Sequence, residues 1–459
     1  MFKNKHEVES LKKIDYIYLI PAIFCVCFSI TNTVFAFESI KQRHEKSSIS
    51  KEVKTIQLMS DEDEDTQVER GFLADSKILL HSRTYLFDHD RESDVTSGRI
   101  NNDRYSVATG GWINFKSGYY NDRLGIGFTQ YGSYKLDGGK NEDGALLLRP
   151  GQESINVLGE AYIEVLHQYG NFKVYRQKIN TPFMNSNDNR MIPQTFEAVK
   201  FSSSKDSKTD YILAYADKMK NRNGQSFQNI NKVVNNDEGV WVAGLRHRFI
   251  PLFRAGLISY HAKDYLDIHY AELDGKQVIS DQSSLKYALQ FIDQKSTGKE
   301  QGGDIDTNAW GLRLTYSLSQ WQFFFNFTDV DNNHSILFPW SSYPGYNSVQ
   351  VNDFNRAGET AIGLGAGYNF SKLGLKGLTA SIKYIDGDTP DKGRVASSDQ
   401  TEVNYDLQYV MQKGALEGVS VRLRYADVER QSYTSNTQSR LTGLDEEQFR
   451  VIINYEIQL

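Results

Sequence analysis

The chain is almost without cysteine and poor in proline. Of 459 residues, two are Cys and eight are Pro. Both cysteines, Cys25 and Cys27, fall in an apolar N-terminal run. If that run is cleaved, disulfides, thiol catalysis and thiolate-held metals drop out. Apolar residues make up only 39%, and the mean hydropathy is −0.53. Those values exclude a bundle of membrane helices. Positive charge is not in excess: the net charge is −6. No nucleic acid or other polyanion is implied as a partner. Catalytic spacing is missing too, with no Ser/His/Asp arrangement, His-Glu-x-x-His or P-loop. His81 and His167 lie in strand-like runs, and His89 and His334 in loop regions. Asp304/Asp306 and Asp329/Asp331 read as solvated loop carboxylates ahead of calcium ligands. The expectation is no catalytic residue, no metal site and no cofactor.

What is present is aromatic and glycine-rich. There are 27 Tyr, 25 Phe and 35 Gly. That mixture favours strands joined by tight turns. Leu124, Ile126 and Phe128 alternate with Gly125, Gly127 and Thr129. Val419, Val421, Leu423 and Tyr425 alternate with Ser420, Arg422, Arg424 and Ala426. Phe449, Val451, Ile453, Tyr455 and Ile457 alternate with Arg450, Ile452, Asn454, Glu456 and Gln458. Successive strand side chains point to opposite faces, so each run has one apolar and one polar face.

Alternation alone does not choose between a soluble sandwich and a barrel in lipid. Three features choose the barrel. Residues 1–36 read as a signal peptide cleaved after Ala36, with a short apolar core broken by Pro21. Connections alternate short and long. The last strand ends with no tail, which suits closure on the first. Residues 37–70, carrying Asp61–Asp65, read as a flexible acidic mature segment. Residues 71–459 form the barrel domain. The fold class is therefore all-β, a transmembrane antiparallel β-barrel of about 18 strands with inward-folded constricting loops. The least defined part is 253–292, where Lys263-Asp264 reads as either a turn or a kink.

One stretch, Thr181–Phe196, fits no simple hairpin. It has Pro182 and Pro193 near its ends, an Asn/Asp middle, Arg190, and a Met191-Ile192 pair. Proline cannot donate to a ladder, so neither flanking strand runs through. A long loop with apolar residues packs on something. The expectation is that it folds into the barrel and narrows it.

Several motifs resemble the OprD family of outer-membrane porins. Gly71-Phe72-Leu73-Ala74-Asp75-Ser76, before a strand with Arg83 and Tyr85, is similar to the family's first strand. Asn189-Arg190-Met191-Ile192-Pro193-Gln194-Thr195-Phe196 is similar to its third-loop motif. Residues 350–359, Gln350-Val-Asn-Asp-Phe-Asn-Arg-Ala-Gly-Glu359, are similar to its seventh-loop motif. Val421–Ala426 and Glu447–Arg450 also match. The resemblance implies an 18-stranded barrel with a channel in each subunit. It implies constriction by loops three and seven, and a ladder of Lys and Arg that guides carboxylate solutes. Two departures stand out: the chain ends on Leu459 rather than an aromatic residue, and the acidic 61–65 segment lies outside the family pattern.

Strand parity sorts the basic residues. Arg83, Arg246, Arg313, Arg422, Arg424 and Arg450 fall on polar faces, with Lys173, Lys286 and Lys383 as lesser members. Asp188, Arg190, Met191, Ile192 and Pro193 come from one constricting loop, and Asp353, Asn355 and Arg356 from the other. A guanidinium holds a carboxylate in a two-pronged pair. Several weak sites in a row let a solute enter, hop and leave. Arg422 and Arg424 share one face, so their repulsion calls for an anion. Glu160, Glu164, Asp406 and Glu456 share the inward face and suit an amine on the same solute. Tyr85, Trp112, Trp241, Trp310 and Trp321 read as interface girdles.

The function expected is an outer-membrane diffusion channel for small carboxylate-bearing solutes such as amino acids, peptides or organic acids. Alternatives are a barrel-embedded hydrolase or an adhesin using the long loops. Expected partners are solutes, outer-membrane lipid and lipopolysaccharide, the barrel-assembly machinery, and weak association between copies.

Overall fold

A computed structural model describes residues 71–91, 103–203, 208–250, 252–430 and 445–459. The expected leader and acidic segment, 1–70, lie outside the described residues. Exposure along β3 (Leu124–Asp137) settles the direction of the alternation. Leu124, Ile126 and Phe128 are exposed, whereas Gly125, Gly127 and Thr129 are buried. Apolar side chains point away from the protein and small or polar ones into it. That is the inverse of a soluble sandwich and the pattern of a barrel in lipid.

The strands before and after it repeat this. They are β1 (Lys77–Arg91), β2 (Arg104–Lys116), β4 (Ile155–His167), β5 (Gly170–Gln177), β6 (Thr195–Ser202) and β7 (Thr209–Lys220). Next come β8 (Gln228–Asn229), β9 (Val240–Ile250), β10 (Phe253–Ala262), β11 (Leu266–Ser280), β12 (Ser283–Ser296) and β13 (Asp306–Leu318). The last are β14 (Trp321–Val330), β15 (Thr360–Asn369), β16 (Leu378–Asp388), β17 (Gln400–Val410), β18 (Ser420–Arg430) and β19 (Glu446–Gln458). β8 is a two-residue strand inside a loop. The other eighteen pair antiparallel in chain order, and β1 pairs with both β2 and β19, so the sheet closes. The Leu459 amide donates to the Ile78 carbonyl at 2.8 Å, adding a rung to that seam. The described residues within 71–411 and 418–459 form one compact body.

Connections are tight at one end of the barrel, as at 168–169, 281–282 and 319–320. At the other end they form loops L2 (138–154), L3 (178–194), L4 (221–239), L5 (263–265), L6 (297–305), L7 (331–359) and L8 (389–399), the labels L1 and L9 being left to the connections after β1 and β18, which lie outside the described residues. L5 resolves the 253–292 region. Asp264 takes a positive φ of 61° and the Tyr265 amide donates to the Ala262 carbonyl, making a turn between two strands rather than a kink. β11 also runs past residue 273 to Ser280. Asp274-Gly275 looks like turn chemistry, but Gly275 lies under the Tyr287 ring, where a Cβ would meet it at 2.4 Å.

The interior is not uniformly polar. From β6 to β14 the inward side chains toward the L-loop end are apolar: Ala214, Val240, Val242, Ile258, Tyr260, Ile268, Ile292 and Ala309. Ile179, Phe183 and Met184 of L3, Ile230 of L4, and Ile336, Trp340 and Tyr343 of L7 pack on them in one cluster. A second cluster joins Tyr85 and Phe87 of β1, Tyr131 of β3, Leu147 of L2, and Met191 and Ile192 of L3. Tyr85 and Trp112 therefore face inward, a correction to the girdle reading: Tyr85 is buried, and Trp112 stacks on His81 with ring centroids 3.8 Å apart. Trp241, Trp310 and Trp321 are exposed on the outer face.

Candidate functional site

L3 docks in both clusters. Phe183 and Met184 sit in the larger one, Met191 and Ile192 in the smaller, and all four are fully buried. The polar middle between them is left over, with Asp188 and Asn189 exposed. The two prolines act at the ends: β5 stops at Gln177 and β6 starts at Thr195. Pro193 gives its carbonyl to the buried Lys220 ammonium at 2.8 Å.

L7 locks L3 from the other side. The fully buried Trp340 donates from Nε1 to Asn231 of L4 at 2.8 Å, and its carbonyl accepts from Gln194 at 2.5 Å. Ser341 donates to the Asn185 carbonyl. Glycine on the wall makes room for L7. A Cβ on Gly363 would lie 2.4 Å from Asn347 Oδ1, and one on Gly387 2.6 Å from the Phe354 ring.

The far tip of L7 is held by a carboxylate. Glu402 on β17 is fully buried and accepts from the backbone amides of Gln350 (3.1 Å), Val351 (2.9 Å) and Asn352 (2.7 Å). Asn404 donates to it at 2.7 Å. On the next strands Arg450 donates from Nη2 to the Gln350 carbonyl at 2.9 Å. L7 thus reaches from the apolar half of the barrel to the β17–β19 wall.

That wall carries the cations. Arg422, Arg424, Arg450 and Arg83 all point inward, on β18, β19 and β1. Asp406 lies between the first two. It takes Nε and Nη2 of Arg422 at 2.9 and 2.5 Å and Nε of Arg424 at 3.0 Å. The anion that their repulsion calls for is therefore built into the neighbouring strand, where register sets Asp406 opposite Arg424. Arg83 donates to Asp188 at 2.7 Å, to the Arg190 carbonyl at 2.5 Å and to Asn454 at 2.7 Å. It joins the wall to the L3 tip. Lys383 lies over the Phe324 ring at 5.3 Å.

The remaining basic residues take other roles. Arg190 is buried; it donates to the Ala145 and Asn189 carbonyls and lies 4.9 Å from the Phe87 ring centre. Burial holds its pKa down at about 10. Its guanidinium pins L3 to L2 instead of facing the opening. Arg356 ties L7 to L8 through Ser398 and pairs with Glu359 at 2.6 Å. Asn355 closes L7 on itself through the Ile336 carbonyl. Asp353 accepts from Ser348 at 2.6 Å, and burial raises its carboxyl pKa. Arg246 pairs with Asp210 at 2.9 Å. Arg313 sits over the Tyr346 ring at 4.1 Å, and Lys286 faces Lys276 across the β11–β12 pair.

The inward carboxylates are engaged as well. Glu160 accepts from Tyr131 (2.6 Å) and Thr129, with Lys178 at 3.4 Å. Glu164 has Lys116 at 3.2 Å and Lys173 at 3.7 Å, and Glu456 pairs with His81. Glu402 and Trp340, which hold L7, and Arg222, which bonds the L3 tip, carry no local sequence signal. Gly363-x-Gly365-x-Gly367 does carry one: glycine at every second strand position marks close approach of another backbone.

A family model described as outer membrane porin, OprD family, matches residues 70–459. Porin D of Pseudomonas aeruginosa is 22% identical over 427 residues, covering 85% of this chain and 92% of Porin D. The porin-like protein GalP of Pseudomonas putida is 22% identical over 408 residues, covering 85% and 93%. Among solved structures, Pseudomonas aeruginosa OccK9 (OpdG) aligns with a TM-score of 0.76 at 23% identity, covering 85% of this chain and all of that one. Pseudomonas aeruginosa OpdK, solved with vanillate, aligns at 0.74 and 22% identity with the same coverage. A BenF-like porin from Pseudomonas fluorescens Pf-5 aligns at 0.75 and 21%, again covering 85% and all of that chain.

Proposed function

Because this chain belongs to the OprD family of outer membrane porins, a substrate-specific channel of the bacterial outer membrane, we propose that its solutes are small carboxylates guided by wall guanidiniums. The observation that carries this reading is the Arg83–Arg450–Arg424–Arg422 wall facing the L3 and L7 tips. In a narrow passage partly enclosed by low-dielectric protein, a run of guanidiniums concentrates anions and passes them on. Each inward carboxylate named above already accepts from a cation, a hydroxyl or, at Glu402, from amides. The wall therefore offers positive charge more readily than negative, which favours organic acids over amino acids. The vanillate bound by OpdK is of that class.

The chain is read as an exported precursor, with residues 1–36 removed and 37–70 preceding the barrel. The end of the barrel that carries L2 to L8 lies on the cell's exterior side, the apolar outer surface meets lipid and lipopolysaccharide, the barrel-assembly machinery inserts the chain, and copies associate weakly. Its relatives are porins, so the channel reading stands ahead of a hydrolase or an adhesin. Planar-bilayer recording of the purified protein tests the proposal. Discrete conductance steps that organic acids block, and uncharged analogues do not, are expected. Steps indifferent to every carboxylate would overturn the solute class.

A further inference from the structure

Arg222, at the start of L4, differs from the arginines around it. Its Nη1 donates to Asn187 Oδ1 at 3.2 Å and to Asn189 Oδ1 in a shorter bond. Both acceptors are neutral amides on the L3 tip, so they hold the group without cancelling its charge. Arg83, Arg356, Arg422 and Arg424 each have a carboxylate within 4.0 Å. Among the described residues Arg222 has none. Arg190 and Arg450 also lack one, but both are buried and give their donors to carbonyl and amide oxygens. Arg222 is half-buried. Burial and nearby Arg450 hold its pKa below the ordinary arginine value, with Asp353 the acid in electrostatic reach.

We propose that Arg222 is the loop-borne cation that selects the solute, taking a carboxylate on its Nε/Nη2 edge while Asn187 and Asn189 hold Nη1. A guanidinium has five N–H donors in a planar fork. With both Nη1 hydrogens given to the asparagines, the edge left over is one that matches the two oxygens of a carboxylate. Arg222 thus fills the role that the loop motif assigns to Arg190. Arg190 instead donates to the Ala145 carbonyl of L2, in the cluster that buries Met191 and Ile192.

This inference rests on the carboxylate reading, and the test separates the two. Vanillate block of single channels is compared in the wild type, Arg222→Gln and Arg222→Lys, with uncharged vanillyl alcohol as control. Reversal potentials in a KCl gradient are recorded for each. Arg222→Gln is expected to raise the half-blocking vanillate concentration about tenfold, the loss of one charge-assisted pair, and to lower anion preference. Arg222→Lys restores anion preference but not the block, because an ammonium lacks the two-donor edge. Step conductance in KCl shows that each variant forms a channel. Equal vanillate block in the wild type and Arg222→Gln overturns the assignment to Arg222 alone. A wild-type channel insensitive to vanillate, acetate and glutarate overturns the carboxylate reading and this inference with it.

Discussion

The two sides of the barrel interior are built on opposite principles. From β6 to β14 the loop end of the inward face is largely apolar and serves as a dock, on which L3, L4 and L7 pack around Trp340. From β17 to β19 it is charged and hydrogen-bonded, and L7 is held there by hydrogen bonds to Glu402 and Arg450. The apolar side resembles a soluble protein's core placed inside a membrane barrel. The charged side keeps its groups apart with intervening amides and pairs Asp406 with two arginines. One side fixes the loops, and the other presents chemistry to whatever passes them.

Removing the keystone of the apolar side is the strongest way to break this division. Trp340→Ala deletes a fully buried aromatic and its Asn231 bond, a loss of about 3–5 kcal/mol of loop docking. L3 and L7 then lose the aromatic they share and keep only hydrogen bonds such as those of Gln194 and Ser341. Larger, noisier single-channel steps are expected, with the barrel still resistant to unfolding in detergent. Quiet steps of wild-type size would show that the loops are held elsewhere.

The corresponding cut on the charged side is Glu402→Ala. It leaves the amides of Val351 and Asn352 without an acceptor, while the Gln350 amide keeps Asn404 Oδ1, a cost of about 2 kcal/mol. Current noise is expected to rise here too, while Glu402→Gln, which keeps one acceptor oxygen, falls between. If Glu402→Gln behaves as the alanine variant does, the negative charge matters more than the acceptor count.

A smaller effect is expected from the wall itself. Arg422→Ala with Arg424→Ala strips Asp406 of both partners and lowers carboxylate uptake by roughly 1–2 kcal/mol, about tenfold. Adding Asp406→Asn recovers part of the anion preference, read as a reversal potential, because it removes the stranded charge. No recovery would mean that Asp406 does not face the path.

The smallest effect is a pH dependence at Asp353. Its carboxyl pKa is raised above the usual value, so it takes up a proton earlier than an exposed Asp as pH falls. Protonation removes a negative charge near Arg222, so anion preference rises on acidification through that range. The change in permeability ratio is expected to be less than about twofold. Asp353→Asn abolishes that rise; a titration unchanged in Asp353→Asn would assign it to another group.

Much of this was legible in the sequence. The boundaries of β9, β10 and β19 follow from alternation and turn residues to within a residue or so. Met191 and Ile192 could be named as anchors from their place in a loop too apolar to stand in water. Parity also placed Arg422, Arg424 and Arg450 on one face. It misled at Tyr85 and Trp112, because strand-end aromatics read as girdle residues whether they point out or in. It also treated the polar interior as uniform. Val240, Val242 and Ile258 face inward because loops cover them, and nothing within their own strands reports a loop from elsewhere.

Periodicity is local, and it determined the barrel: a two-residue repeat needs only neighbouring residues to be read. The loop motifs likewise marked which connections turn inward. Which cations are free is not local. Arg83 meets Asp188 from 105 residues away and Asn454 from 371 away. Arg190 is taken by a carbonyl in L2, and Glu402 by three amides in L7. A charge is available to a solute only after the protein's own acceptors have taken theirs. Only the closed barrel with its docked loops brings those acceptors within reach, so only the tertiary structure distinguishes Arg190, buried against L2, from Arg222, half-buried with only neutral asparagines on its Nη1.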